Sequence, residues 1–200
     1  MTGSDIVKKF ELWTDDSTEM SSDEELFLAD QKYKLILSEN QWEFLRKTAS
    51  GTFSGGFIDV SALDFDRLMA NYVDDPSCGS FPDTVVIYVN NNPYKVIPMG
   101  SRWNQSGVAY YDSVNKKIMI LGESGGTYSF DYKYKPEALT LITSPVWDEY
   151  FHMAIVYAML LDDEVIQKVE KARSSITENA AQFQRIMTNL KSHDSKLFLL

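Results

Sequence analysis

SPVWDEYFHMAIVYAMLLDDEVIQKVEKARSSITENAAQFQRIMTNLK, residues Ser144 to Lys191, is the stretch on which the reading of this chain turns. Ser144 suits a helix cap and Pro145 the first helical position, where a missing N–H costs nothing. Trp147 to Leu161 is then apolar almost all round, the mark of a buried helix. It is short of the roughly 20 apolar residues a bilayer crossing needs, so no membrane span is expected. Asp162-Asp163-Glu164 interrupt the pattern and open a second helix. There Ile166, Val169, Ala172, Ile176, Ala180, Phe183, Met187 and Leu190 recur at steps of three or four and form one stripe. At about 1.5 Å per residue, an unbroken helix from Asp163 to Lys191 would run about 43 Å. Trp147, Phe151, Ile155, Ile176 and Phe183 are expected to form the packing core of this helical pair.

Working towards the N-terminus, the period changes. Thr127 to Lys135 alternates strictly, with Tyr128, Phe130, Tyr132 and Tyr134 against Ser129, Asp131, Lys133 and Lys135, as in a strand with one wet face. Thr84–Val89 and Tyr94–Pro98 flank the turn Asn90-Asn91-Asn92-Pro93. Gly107–Asp112 and Lys117–Leu121 flank a second turn at 113–116. Phe53, Phe57, Ile58 and Val60, punctuated by Gly51, Gly55 and Gly56, suggest two short strands and a tight turn. Asp64–Tyr72 reads as a helical turn or two. Ser22 and Glu25 have the spacing of a capping box ahead of a helix carrying Leu26, Ala29, Tyr33, Ile36 and Leu37. Trp42, Phe44 and Leu45 fit a further helical turn.

The expected fold class is therefore α+β. A helical core, built from the N-terminal helix, a buried C-terminal helix and the long helix, would carry an inserted antiparallel β-rich region and an extended C-terminal arm. The boundaries drawn are 1–82 for an N-terminal helical part with a short hairpin, 83–143 for the β insertion, 144–191 for the helical pair and 192–200 for the arm. Leu197, Phe198, Leu199 and Leu200 need a home in this fold or on another chain.

Composition bounds the function. The chain of 200 residues is 44% hydrophobic, enough for a real core, and its net charge of −10 argues against a surface built to neutralise phosphates. Residues 1–64 hold 13 acidic and 6 basic side chains, and residues 145–200 hold 8 and 6, so the bias is mostly N-terminal. The single Cys78 allows no internal disulfide. No signal peptide is visible at the N-terminus. Gly122-Glu123-Ser124-Gly125-Gly126 superficially matches a serine-protease motif, but both histidines, His152 and His193, follow Ser124, so a glycine-rich turn is the expectation. Two histidines and one cysteine supply no metal-ligand spacing. Asp162-Asp163-Glu164 suits a helix N-terminus better than a cation site. His152 is expected in a core. Asn104-Gln105-Ser106 is a chance sequon. The aromatic row of 127–135 could stack bases, although packing against helices is the stronger reading. No enzyme activity, cofactor or metal is expected.

Three stretches carry a resemblance. They are Thr14–Leu26 with the following helix and Trp42–Leu45; Tyr94–Met99 and Tyr128–Tyr134 passing into Pro136–Leu141; and Pro145–Ala158 followed by the long polar helix. In that order of parts the sequence resembles the head-to-tail adaptor, or connector, proteins of tailed bacteriophages. The resemblance implies a structural virion protein in the neck between head and tail, made in the host cytoplasm. It implies a homo-oligomeric ring, commonly of twelve copies, beneath the portal protein, which extends the DNA channel and meets further neck or tail proteins. DNA would pass through the lumen without specific binding, and an acidic lining would suit that passage. Portal contact would fall on Leu197, Phe198, Leu199 and Leu200, with Leu190 and Met187 at the end of the long helix. The alternatives are a tail-completion or tail-proximal ring protein, and a non-viral binding module using its β-sheet face.

Overall fold

The structure, a computed structural model, describes residues 1–15, 18–40, 42–69, 85–97 and 107–197. Cys78, the sequon at Asn104 and residues Phe198, Leu199 and Leu200 lie outside that set. The chain forms two units. Residues 1–44 and 137–200 make a helical unit, and residues 45–136 make a β unit.

The helical unit begins with α1 (Gly3–Thr14), capped by a reciprocal Thr2–Asp5 box and ended by Asp15 in the left-handed region. Helix α2 (Ser22–Ser38) is boxed by Ser21 and Glu24, one residue earlier than the sequence spacing suggests. Glu25 turns inward instead and accepts a hydrogen bond from the Thr18 hydroxyl at 3.0 Å. A 3-10 turn, Glu43–Leu45, follows. After the β unit the chain returns through a second 3-10 turn, Glu149–Phe151, capped by Asp148 rather than Ser144. Then come α3 (Met153–Leu160), α4 (Asp163–Lys168), α5 (Glu170–Ser174) and α6 (Ile176–Leu197).

The single long helix expected from Asp163 is thus broken twice. Val169 adopts an extended conformation and is itself buried, while Ser175 interrupts the ladder again. The Arg173 guanidinium donates to the carbonyls of Ile166 and Gln167, the orphan acceptors at the end of α4. At about 1.5 Å per residue, α6 spans about 33 Å. Each break resets the helical phase, so the apolar stripe does not continue as one face. Ile176 is 37% exposed and Phe183 half-buried, whereas Val165, Asn179 and Ile186 are buried. Trp147, Phe151 and Ile155 are buried in the core, with Trp147 between the rings of Tyr33 and Phe44.

The β unit overturns the expected fold class. It is a closed barrel of seven strands and mixed direction, so the protein is a barrel-containing α+β fold and not a helical core carrying an inserted antiparallel sheet. The strands are β1 (Arg46–Ser54), β2 (Phe57–Asp59), β3 (Phe65–Leu68), β4 (Val86–Val89), β5 (Asn92–Ile97), β6 (Val108–Asp112), β7 (Lys117–Ile120) and β8 (Gly125–Tyr134). Around the barrel they run β1-β2-β7-β6-β5-β4-β8 and back to β1. Strand β3 extends the wall by pairing with β8 beyond β4, so 65–68 is a strand and not the helical turn expected there. The β5–β6 pair is parallel and the remaining pairs antiparallel. Closure rests on β1 and β8, paired from Arg46↔Lys133 to Ser54↔Gly125.

Two hairpins are closed by turns with both central residues at positive φ, Gly55-Gly56 between β1 and β2 and Asn90-Asn91 between β4 and β5. That geometry matches the right-handed twist of paired strands. The aromatic row of β8 turns inward. Phe130 and Tyr132 are buried, and Tyr128 and Tyr134 pack against the same core. The opposite face is not simply wet. Asp131 accepts from Arg46 at 2.8 Å and Thr48 at 2.7 Å, and Lys133 is buried.

Candidate partner-binding site

The end of α6 is where the sequence places a partner contact, and its geometry starts from Asp194. The expected arm at 192–200 is helical through Leu197, because α6 continues past Lys191. Asp194 is buried within the helical unit. Its Oδ2 accepts from the backbone N–H of Glu43 at 2.9 Å and its Oδ1 from that of Phe44 at 3.0 Å. Those amides open the 43–45 turn and have no helical acceptor of their own, so the carboxylate caps them from a distant helix. Burial raises the Asp194 pKa above 3.8, and the two amides oppose that shift. His193 lies with its ring 5.5 Å from that of Phe151.

Met187 and Leu190 are buried, so their side chains are committed to packing inside the helical unit and are not offered to a partner. Ile176, assigned to the core, is instead at the surface. The buried face of α6 is partly polar, a feature the apolar periodicity did not signal. Besides Asp194 it holds Asn179, and the Gln182 Oε1 is buried with no hydrogen-bond partner among the described residues.

His152 is a core histidine. Its Nε2 faces the Trp147 carbonyl at 2.9 Å, and since a carbonyl only accepts, Nε2 carries the proton. Nδ1 then accepts from the Met1 amino group at 3.0 Å, which also bonds Glu149 Oε1 at 2.9 Å. Burial lowers the His152 pKa below 6.5, and the neighbouring amino group pushes the same way. The expected turn covers only Gly122–Ser124, since Gly125 and Gly126 already belong to β8; the Ser124 carbonyl accepts from the Gly56 N–H. Asp162 caps α4 through Glu164 N–H and pairs with Lys32 at 2.7 Å. Among the described residues no three His, Cys, Asp or Glu side chains gather as they would around a metal ion. No helix there is long and apolar enough to cross a membrane.

Charge is divided unevenly between the two units. Residues 1–44 and 137–200 carry 20 acidic and 10 basic side chains, and residues 45–136 carry 9 of each. The net charge of −10 therefore belongs to the helical unit. The same unit displays Leu12, Phe27, Leu35, Ile142 and Tyr150, all more than half exposed. The sequence matches no protein-family model and no curated protein.

Proposed function

We propose that the chain is a structural virion protein, a head-to-tail adaptor that assembles as a ring beneath a phage portal and joins it to the neck or tail. The observation that carries this reading is the segregation of charge. A helical unit of net −10 suits a wall past which DNA slides without being held, while the barrel is neutral. The resemblance of the three stretches to phage adaptors supports it. So does Asp194, which ties the last turn of α6 to the backbone amides of Glu43 and Phe44, three residues before Leu197. A reading in which the sheet stacks bases or peptides on its aromatic row is disfavoured, because Phe130 and Tyr132 are inside the barrel.

The test is light scattering and imaging of the purified protein, alone and mixed with isolated portal. The expected outcome is a symmetric ring on the portal. Deleting only Phe198–Leu200 keeps Asp194 in place, and portal binding is expected to drop at least tenfold while folding is retained. A protein that ignores portal and tail ends alike sinks the virion reading. Undiminished binding by the truncated chain removes the arm from the contact.

A further inference from the structure

Within the helical unit a cavity of about 120 Å³ opens beside the C-terminal end of α1, between α3, α5 and the first turn of α6. Its lining combines apolar Trp13, Leu160 and Ala172 with polar Ser175, Asn179, Glu178 and Lys171. Asn179, only 3% exposed, is one of the lining residues. A carboxamide carries both donors and an acceptor, so a polar group entering the cavity can pair with it.

Size and charge define the ligand. The cavity is well below the roughly 300 Å³ at which small-molecule sites begin, so it accepts one protruding side chain and not a nucleotide or cofactor. The Lys171 ammonium is engaged by Asp15 at 3.2 Å. Glu178 is exposed and forms no ion pair among the described residues. The unit around the cavity has twice as many acidic as basic side chains. Glu178, the Ser175 hydroxyl and the Asn179 carbonyl are all acceptors. A guanidinium is a planar, permanently charged group with five donors and nothing to accept, and its methylene stem suits Trp13, Leu160 and Ala172.

We propose that this cavity receives an arginine side chain from a partner protein, with Glu178 as its counter-ion and Ser175 and Asn179 as further acceptors. The proposal holds for any partner and does not rest on the virion reading. The experiment is amide and indole NMR of the full chain titrated with N-acetyl-arginine methylamide. N-acetyl-lysine methylamide and sodium acetate serve as comparison probes.

Saturable shifts of the Trp13 indole N–H and the Asn179 carboxamide are expected, with the arginine probe binding at least threefold more tightly than the lysine probe. Glu178→Gln, at an exposed position, keeps the fold and is expected to weaken the arginine probe at least tenfold. Absence of saturable shifts overturns the proposal. So do equal binding of the two cationic probes, indifference to Glu178→Gln, or acetate shifting the same two signals.

Discussion

Asp194 and His152 are buried ionisable groups of one helical unit, and acid acts on them in opposite directions. The His152 pKa is lowered in the native state, so below 6.5 the unfolded chain takes up a proton that the native one resists. Stability is therefore expected to fall as pH drops below 6.5, and His152→Gln to flatten that part of a urea-midpoint-against-pH curve. The Asp194 pKa is raised, so between that raised value and 3.8 the native state holds the extra proton. Its contribution grows as pH falls through that window and is lost as pH rises above it. Asp194→Asn removes this dependence. It also sets an NH₂ group against one of the two backbone amides it caps. The expected cost is about 1–3 kcal/mol by urea denaturation, with faster hydrogen exchange at Glu43 and Phe44. The sequence places His152 in a core, but the role of Asp194 is not legible from it. Asp194 sits in a run that reads as a polar tail, and its partners are some 150 residues away.

Helices and strands were legible where periodicity is local. The alternation of 127–135 points to a strand with an aromatic face, and the Gly55-Gly56 and Asn90-Asn91 pairs point to turns. What alternation does not state is what covers each face. A long strand whose other edge finds β1 closes a barrel, and the row that would face helices over an open sheet then faces an interior. Gly126 stands near the start of that closing strand. It has φ +148, and a Cβ there would overlap the Asn90 carboxamide, which accepts from Thr127 N–H at 2.9 Å. Gly126→Ala is expected to cost about 1–3 kcal/mol from backbone strain alone. It should also broaden the signals of the 90–91 turn in NMR spectra. Helix breaks were the other loss. Val169 and Ser175 carry no Gly or Pro signal; burial of Val165, Val169 and Ala172 and capping by Arg173 favour three short helices over one long one.

At the scale of the whole molecule, the barrel is one continuous segment, 45–136, with its own hydrophobic cluster, whereas the helical unit needs both ends of the chain. Expressed alone, 45–136 is expected to unfold cooperatively with a β-type circular dichroism spectrum; a chain lacking 137–200 is expected to leave its N-terminal helices without a core. A non-cooperative 45–136 fragment would refute the first expectation. The charge division follows the same boundary, so the isolated barrel is expected to migrate as a near-neutral protein and the intact chain as a strongly acidic one.

Local pattern was enough for the acidic balance, a buried helix within 147–161, a strand over 127–134 and the glycine and asparagine turns. Each depends on residues within a few positions of one another, where sterics and period act directly. Long-range packing settles the rest: the sheet closes, β5 and β6 run parallel, α6 buries Asn179 and Asp194, and the net charge falls on one unit. Those outcomes depend on which distant edges and faces meet. Pairing over long sequence separations is set by the summed burial of many side chains, which no local pattern records.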